Sequence, residues 1–475
     1  MPLLSQSDIV SMMLRAMQFE PTASQYEAVK KLSALICSPD PHATLLIRGY
    51  AGTGKTTLMQ AFCETASSLG FPLSLMAPTG RAAKVLSGIS KRPAHTIHRT
   101  IYRQMSNDIN SRFELGYNNG RQTIYIVDEA SMISDTFTGE TEFGSGRLLT
   151  DLISFVYSRT GCKLLLIGDP AQLPPIGLNE APALNDDKLR GFGLSVDSVW
   201  LTDIVRQEQE SAILTNADSL RRIIDNEPDF CGYPRLTATP GSDVERLSGA
   251  ELIETLITCH DRYGTENTLV VTRSNKRATR FNQGIRSTVL FKEEEITRGD
   301  LLMVGKNNYL WLAGENDDDF IANGDIAEVV RVSGYNEMYG LRFANASLKF
   351  LEHNDIDVDA KILLNCLNSE TPRLSHDEER QFLDMVLQDY ADIHDRRKLA
   401  EAVRNDKWFN ALQVKFAYAV TCHKAQGGQW DAVFVDTGYV APEQMTTEFL
   451  KWLYTAFTRA TKKLYLVNFA DEYFG

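Results

Sequence analysis

No apolar run in the 475 residues approaches the roughly 20 that a membrane-spanning helix requires, so no membrane protein is expected. The opening residues, MPLLSQSDIV, offer no basic segment followed by a long apolar stretch, so no secretory signal is expected. The seven cysteines are scattered, without a CxxC pair or a repeating spacing. They read as reduced core thiols of a cytoplasmic protein rather than as a disulfide framework. Positive charge is in deficit: 49 Lys and Arg face 62 Asp and Glu, a net charge of −13. That excludes a uniformly basic nucleic-acid surface and leaves room only for a local basic track. Internal repeats and long low-complexity linkers are also missing. What remains is an ordinary globular composition, 43% apolar and 23% charged, in a chain long enough for two to four domains.

Short apolar runs at 44–48 (TLLIR), 73–77 (LSLMA), 123–127 (TIYIV) and 163–167 (KLLLI) alternate with helix-like segments such as 55–69 and 81–87. Alternating buried strands and helices predict a parallel sheet covered on both faces. Such sheets bind ligands at the carboxyl ends of their strands. A second strand-like run, 268–272 (TLVVT), follows a helical region at 211–225 and precedes a polar helical stretch at 274–287. The texture then changes. Residues 298–335 carry glycine and Asn-Gly turns between short strands, which predicts a small antiparallel barrel. Residues 368–410 are charged and helix-rich and predict a protruding arm; α/β texture returns at 413–475. A second α/β domain interrupted by an insertion of roughly 120 residues, a common domain size, accounts for the order.

GYAGTGKT at 49–56 fits G-x-x-x-x-G-K-[ST] between an apolar strand and a helix. In that context the glycines turn backbone N–H groups toward phosphate oxygens, and the helix start adds positive potential. Gly52, Thr53, Gly54, Lys55, Thr56 and Thr57 are therefore expected to hold ATP. Lys55 would neutralise the β- and γ-phosphates, and Thr56 would hold Mg²⁺. TIYIVDEAS at 123–131 delivers Asp128 and Glu129 to a strand end. Asp128 is expected in the Mg²⁺ shell, with Glu129 activating the attacking water. LLLIGDPAQLPPIG at 164–177 fixes Gln172 before two prolines, where a neutral amide would sense the γ-phosphate.

Taken in order, these motifs resemble a superfamily 1 helicase, more narrowly the RecD/Dda type of superfamily 1B. The matches also include PTASQYEAV at 21–29, APTGRAAKVL at 77–86, TIHR at 96–99, VRQ at 205–207, YAVTCHKAQGGQW at 418–430 and YTAFTRA at 454–460. The resemblance implies two RecA-like domains of the P-loop NTPase kind. The first would span 1–204, with a short hairpin subdomain at about 100–122; the second would span 205–290 and 412–475. An SH3-like β-barrel with a helical arm would be inserted at 291–411. It implies that Gln25 reads the adenine edge, that Arg206 and Arg459 reach the γ-phosphate, and that Gly428 lies in the nucleotide site. After Gly428, Gln429 stands where relatives often carry an acid, so a charge-mediated hold on the sugar is not expected.

The same resemblance implies contacts to single-stranded DNA from Pro78, Thr79, Arg81 and His98 in the first domain. In the second domain it implies contacts from Thr272, Asn275, Thr421, His423 and Lys424. These residues follow strands, where polar groups and helix starts suit a phosphate backbone. Asn118-Asn119-Gly120 is a hairpin-turn signal, which fits either a β-hairpin that splits duplex or an ordinary surface loop. The expected activity is ATP-dependent 5′-to-3′ movement on single-stranded DNA and unwinding of forks, by a chain active as a monomer, in repair, recombination or replication. An RNA-dependent motor is the main rival, since strand tracks do not by themselves read the 2′-OH. A nucleotide-regulated binding module and a helicase subunit carrying a nuclease are weaker rivals. The first has a complete hydrolytic set against it, and the second lacks a carboxylate-rich nuclease segment.

Overall fold

The computed structural model describes residues 5–17, 19–104, 113–137, 143–203, 211–226, 230, 232–312, 320–351, 356–371 and 373–474. They form two units: residues up to 103, 113–237 and 441–458 in one, and 238–440 with 459 onward in the other.

The first unit opens with helices α1 (Gln6–Ala16) and α2 (Ala23–Cys37), the latter started by a Thr22/Gln25 capping box. Strands β1 (Ala43–Gly49), β2 (Leu73–Ala77) and β3 (Ala94–Thr96) follow, separated by α3 (Lys55–Ser68) and α4 (Gly80–Ser90). After α5 (Ile97–Ile101), strands β4 (Tyr102–Gln104) and β5 (Phe113–Leu115) make a separate two-stranded ribbon. β6 (Ile124–Val127), α6 (Leu148–Tyr157), β7 (Lys163–Gly168), α7 (Asp186–Gly191) and β8 (Ser195–Leu201) complete a six-stranded parallel sheet ordered β3-β2-β6-β7-β1-β8. Helix α8 (Ala212–Asn226) ends this stretch.

The unbroken apolar runs have a structural reason. Leu45, Ile47, Ile124, Ile126, Leu165 and Ile167 face one core, while Leu46, Tyr125, Val127, Leu164 and Leu166 face another. Both pleat faces are dry, so no polar alternation is tolerated.

The Asn118-Asn119-Gly120 signal marks no hairpin tip. Asn118 is buried; its side chain donates to the carbonyls of Phe155 and Val156 at 2.9 and 3.1 Å and accepts from Gly120 N at 2.8 Å. Its amide closes a loop against α6, as a turn former does when its side chain replaces backbone partners. The ribbon instead pairs β4 with β5, and residues 105–112 between them lie outside the described residues.

The second unit contains β9 (Val244–Leu247), α9 (Leu252–Tyr263), β10 (Thr268–Thr272) and α10 (Asn275–Gly284). A closed five-stranded barrel comes next, built of β11 (Leu301–Val304), β12 (Ile326–Met338), β13 (Leu341–Phe350), β14 (Ile356–Leu363) and β15 (Leu412–Phe416). Its last strand begins where the sequence reading ends the insertion. Helices α11 (His376–Asp389) and α12 (Arg396–Arg404) lie between β14 and β15. They do not protrude: Phe382 and Val386 of α11 share one core with Phe343 of β13, Leu363 and Ala411. Phe382 and Trp408 both stack against Phe343 or its neighbours, so apolar burial folds the arm back on the barrel. β16 (Ala419–Thr421), α13 (Cys422–Ala425), β17 (Trp430–Asp436) and, after α14 (Thr447–Phe457), β18 (Ala460–Val467) complete a five-stranded parallel sheet ordered β16-β10-β17-β18-β9. Helices α8 and α14, expected in the second α/β domain, belong to the first unit.

Barrel and sheet are joined in the second unit by a buried carboxylate. Asp300 accepts from Arg286 at 2.9 Å, Lys292 at 3.0 Å, Thr297 N at 2.8 Å and Tyr418 at 2.7 Å. Burial raises its pKa, but the hydrogen bond from Arg286 and those from the other donors outweigh it, so Asp300 lies below the ordinary carboxylate range. A depressed acid stabilises the fold above its unfolded pKa and loses that contribution as pH falls through the folded value. Asp300→Ala leaves two cations without their shared partner and is expected to cost about 3 kcal/mol or more. In urea denaturation, the gap to the native chain should narrow below about pH 4.

Candidate nucleotide and strand sites

In the first unit, β1 ends at Gly49 and runs straight into the loop before α3. A Cβ on Gly49 would sit 3.0 Å from Thr53 Oγ1 and 3.1 Å from Leu201 and Lys55, so a side chain there would push its neighbours aside. Gly52 and Gly54 adopt φ of 75° and 78°, the left-handed region that favours glycine. Gly54 is also the N-cap of α3 and gives no side-chain bond to it, so the first-turn amides stay available to an anion. Lys55 Nζ donates to the carbonyls of Gly49 and Tyr50 at 2.7 and 2.8 Å and lies 3.8 Å from Asp169. Thr53 Oγ1 closes the loop onto Tyr50 O at 2.8 Å, whereas Thr56 is exposed and Thr57 half-buried. Tyr50 itself is pinned from α8: its hydroxyl donates to Asp225 at 2.9 Å and the Arg221 guanidinium lies 4.5 Å from its ring centre.

Parallel register places the ends of β6 and β7 beside this loop. Asp128 and Glu129 follow β6, and Asp169 follows β7, which lies between β6 and β1. Glu129 has φ of 51°, a strained conformation for a non-glycine residue, and its N–H donates to Asp128 Oδ1 at 2.9 Å. Loss of hydration, reinforced by the neighbouring Glu129 charge, pushes Asp128 up to about 7. Asp169 is buried and also raised, chiefly by desolvation, with Lys55 and the Tyr454 hydroxyl opposing. Among the described residues, no group of three or more His, Cys, Asp or Glu side chains could hold a metal ion. The oxygen donors Thr56 and Asp128 suit a hard cation that completes its shell with phosphate and water, which is how Mg²⁺ is commonly held. Mg²⁺ bound there would lower the cost of the crowded carboxylate charge.

The other nucleotide candidates are distributed as follows. Gln172 is buried on the turn after Asp169, its N–H donating to the Asp169 carbonyl at 3.3 Å. Gln25 is fully buried, its Nε2 donating to Thr53 O at 3.1 Å on the phosphate loop and its Oε1 accepting from Thr22 N at 3.0 Å. Its capping-box geometry explains this, since the third residue of a helix reaches back to the cap. Arg206 lies outside the described residues. In the second unit Arg459 is buried and donates to Gly428 O at 3.0 Å, so these two candidates meet.

The strand candidates fall at carboxyl edges in each unit. In the first, Ala77 and Thr96 are in register on β2 and β3, so the turns after both strands emerge together. Thr79 follows Pro78 there and caps α4 by accepting from Ala82 N at 3.2 Å, with Arg81 half-buried in the first turn. The His98 ring packs 4.8 Å from Phe143 and 5.6 Å from Tyr102. Burial depresses its pKa to about 4, so at neutral pH it offers a phosphate no charge. In the second unit, Thr272 and Thr421 are register partners on β10 and β16. Thr272 is fully buried and its hydroxyl donates to Ser274 O at 3.1 Å, so it shapes the turn rather than facing solvent. Asn275, Thr421, His423 and Lys424 are half-buried along the same edge. Burial, helped by Lys415, brings Lys424 down to about 8.

Sequence reasoning missed Asp169 and Tyr454, although both lie inside quoted motifs. An acid after Gly168 reads as a turn, and a tyrosine in an apolar helix reads as core.

Asp128 gives a direct test. An acid with a raised folded pKa destabilises the fold increasingly as pH rises from its unfolded value through the folded one. Without Mg²⁺ or nucleotide, Asp128→Asn should therefore raise the melting temperature at pH 8, and the gain should shrink at pH 6.

A family model for an AAA domain matches residues 21–223, and one for a UvrD-like helicase C-terminal domain matches residues 416–467. The ATP-dependent RecD2 DNA helicase of Deinococcus radiodurans is 24% identical over 442 residues, covering 91% of this chain and 48% of that protein. The ATP-dependent DNA helicase Dda of phage T4 is 24% identical over 436 residues, covering 88% of this chain and 92% of that protein. The conjugal transfer protein TraA of Rhizobium radiobacter is 27% identical over 295 residues, covering 60% of this chain and 22% of that protein. The chain thus spans about half the length of RecD2 and less of TraA. A solved structure of Pif1 helicases at forked DNA is 14% identical, with a TM-score of 0.49, covering 95% of this chain and 92% of that one. The chain thus carries matches to an AAA domain and a UvrD-like helicase C-terminal domain, and along most of its length it is similar to the DNA helicases RecD2 and Dda.

Proposed function

We propose that the chain hydrolyses Mg·ATP to move along single-stranded DNA in the 5′-to-3′ direction and to unwind duplex at forks. The observation that carries the reading is the gathering of Lys55, Asp128, Glu129 and Asp169 at three strand ends around a glycine-shaped loop. In this reading the loop amides and Lys55 bind the phosphates, Thr56 and Asp128 hold Mg²⁺, and Glu129 takes the proton of the attacking water. Gln172, Arg206 and Arg459 answer to the γ-phosphate. Hydrolysis then shifts the balance between two conformations, because ATP and ADP contact them differently.

The DNA track in this proposal uses the turns after β2 and β3 in one unit and after β10 and β16 in the other. Helix-start amides, Thr79, Arg81, Asn275, Thr421, His423 and Lys424 supply neutral and cationic donors to the backbone. This local supply reconciles a net charge of −13 with a polyanionic track. DNA rather than RNA is favoured by the kinship to proteins named as DNA helicases.

Glu129→Gln should retain ATP binding and lower hydrolysis at saturating single-stranded DNA by at least about a hundredfold, the scale of a lost general base. The native chain should unwind a 5′-tailed duplex and leave a 3′-tailed one intact; the opposite preference would overturn the assigned polarity.

A further inference from the structure

We infer that Tyr454 and Thr455, neighbouring hydroxyls on α14, are positioning residues that hold the phosphate loop and the Gln172 turn in their working shapes. This rests on the nucleotide reading above, and every residue involved lies in the first unit. Tyr454 is buried, and its hydroxyl accepts from Ala51 N at 2.8 Å while donating to Asp169 Oδ2 at 2.6 Å. Thr455 is also buried, and its Oγ1 accepts from Leu173 N at 2.8 Å.

The two bonds act on different loops. Ala51 stands immediately before Gly52, the first left-handed residue of the phosphate loop, so the tyrosine fixes the entry into the turn that presents the amides. Leu173 immediately follows Gln172, so the threonine fixes the exit of the turn that carries the side-chain amide. Asp169 ties the two together, since it receives the tyrosine hydroxyl and faces Lys55 at 3.8 Å. Phe and Val would fill the same space as Tyr and Thr. What the hydroxyls add is the hold on two loop amides and one carboxylate. A buried hydroxyl is costly without such partners, so packing alone does not account for the pair.

The roles separate kinetically. Tyr454→Phe loosens the binding loop, so the affinity for Mg·mant-ADP should fall about fivefold, the scale of one lost hydrogen bond. KM for ATP should rise in step while kcat stays within roughly twofold. The Tyr454 hydroxyl also lowers the Asp169 pKa, so its loss should move any acid limb of kcat/KM that Asp169 sets to higher pH. Thr455→Val loosens the Gln172 turn, so kcat should fall about fivefold with KM little changed, and Thr455→Ser should restore it. Thermal denaturation of all three variants shows whether each is folded at the assay temperature. Native-like kinetics, nucleotide affinity and pH profile in both Tyr454→Phe and Thr455→Val would overturn the inference and leave ATP hydrolysis standing. So would parallel losses of affinity, kcat and melting temperature that Thr455→Ser fails to rescue. Failure of the native chain to bind mant-ADP would overturn both this inference and the nucleotide reading beneath it.

Discussion

The ammonium of Lys55 rests on the carbonyls of Gly49 and Tyr50, 3.8 Å from a buried carboxylate at Asp169. That arrangement requires β1 and β7 to be adjacent and parallel, so that a strand-end lysine and a strand-end aspartate meet. Gly49 leaves little room for a Cβ beside this site, and Gly52 and Gly54 turn left-handed where the chain folds back over the ammonium. The arrangement also puts a cation beside the buried carboxylate of Asp169, which lies at 1% exposure. Burial and the neighbouring Glu129 charge both raise the Asp128 pKa. Glu129 also stands at φ 51°, a left-handed conformation that five other non-glycine residues among those described share.

A second device recurs on both sheets. A parallel strand ends, a hydroxyl caps the next helix, and the helix start faces the carboxyl edge. Thr79 and Thr96 do this after β2 and β3, and Ser274 does it after β10. Within each sheet, strand spacing sets the distance between neighbouring strand ends, so polar groups and helix starts can gather at a carboxyl edge without a large positive charge. The acidic composition and a nucleic-acid track are then compatible, provided that recognition runs through amides and a few desolvated cations such as Lys424.

Much of this was legible in the residues. The buried parallel strands announced themselves because both faces of the sheet are dry, which leaves uninterrupted apolar runs at 44–48 and 163–167. The phosphate loop was legible because Gly52 and Gly54 take left-handed backbone conformations that favour glycine. The barrel was visible through its turns, but its last strand, Leu412–Phe416, was not, because it is separated by two helices from the rest. Asn118 misled because a turn former and a buried amide clamp look identical until the partners, here Phe155 and Val156, are known. The bonds that Gln25 and Thr272 make within the protein were not legible, because their partners, Thr22, Thr53 and Ser274, are set by the fold. The charged segment 368–410 suggested a free arm because its one apolar stripe is narrow. Leu374, Phe382 and Val386, with Tyr390, Trp408 and Phe409 packed against them, join it to the core of Phe343 and Leu363.

The central claim is that these strand-end constellations form one engine in which hydrolysis responds to a nucleic-acid strand. The most direct test is the steady-state ATPase rate of the native chain, measured with and without single-stranded DNA and with a matched RNA oligonucleotide. The account predicts strong stimulation by DNA and little by RNA. Absence of stimulation by DNA, at any ratio of strand to protein, would contradict it.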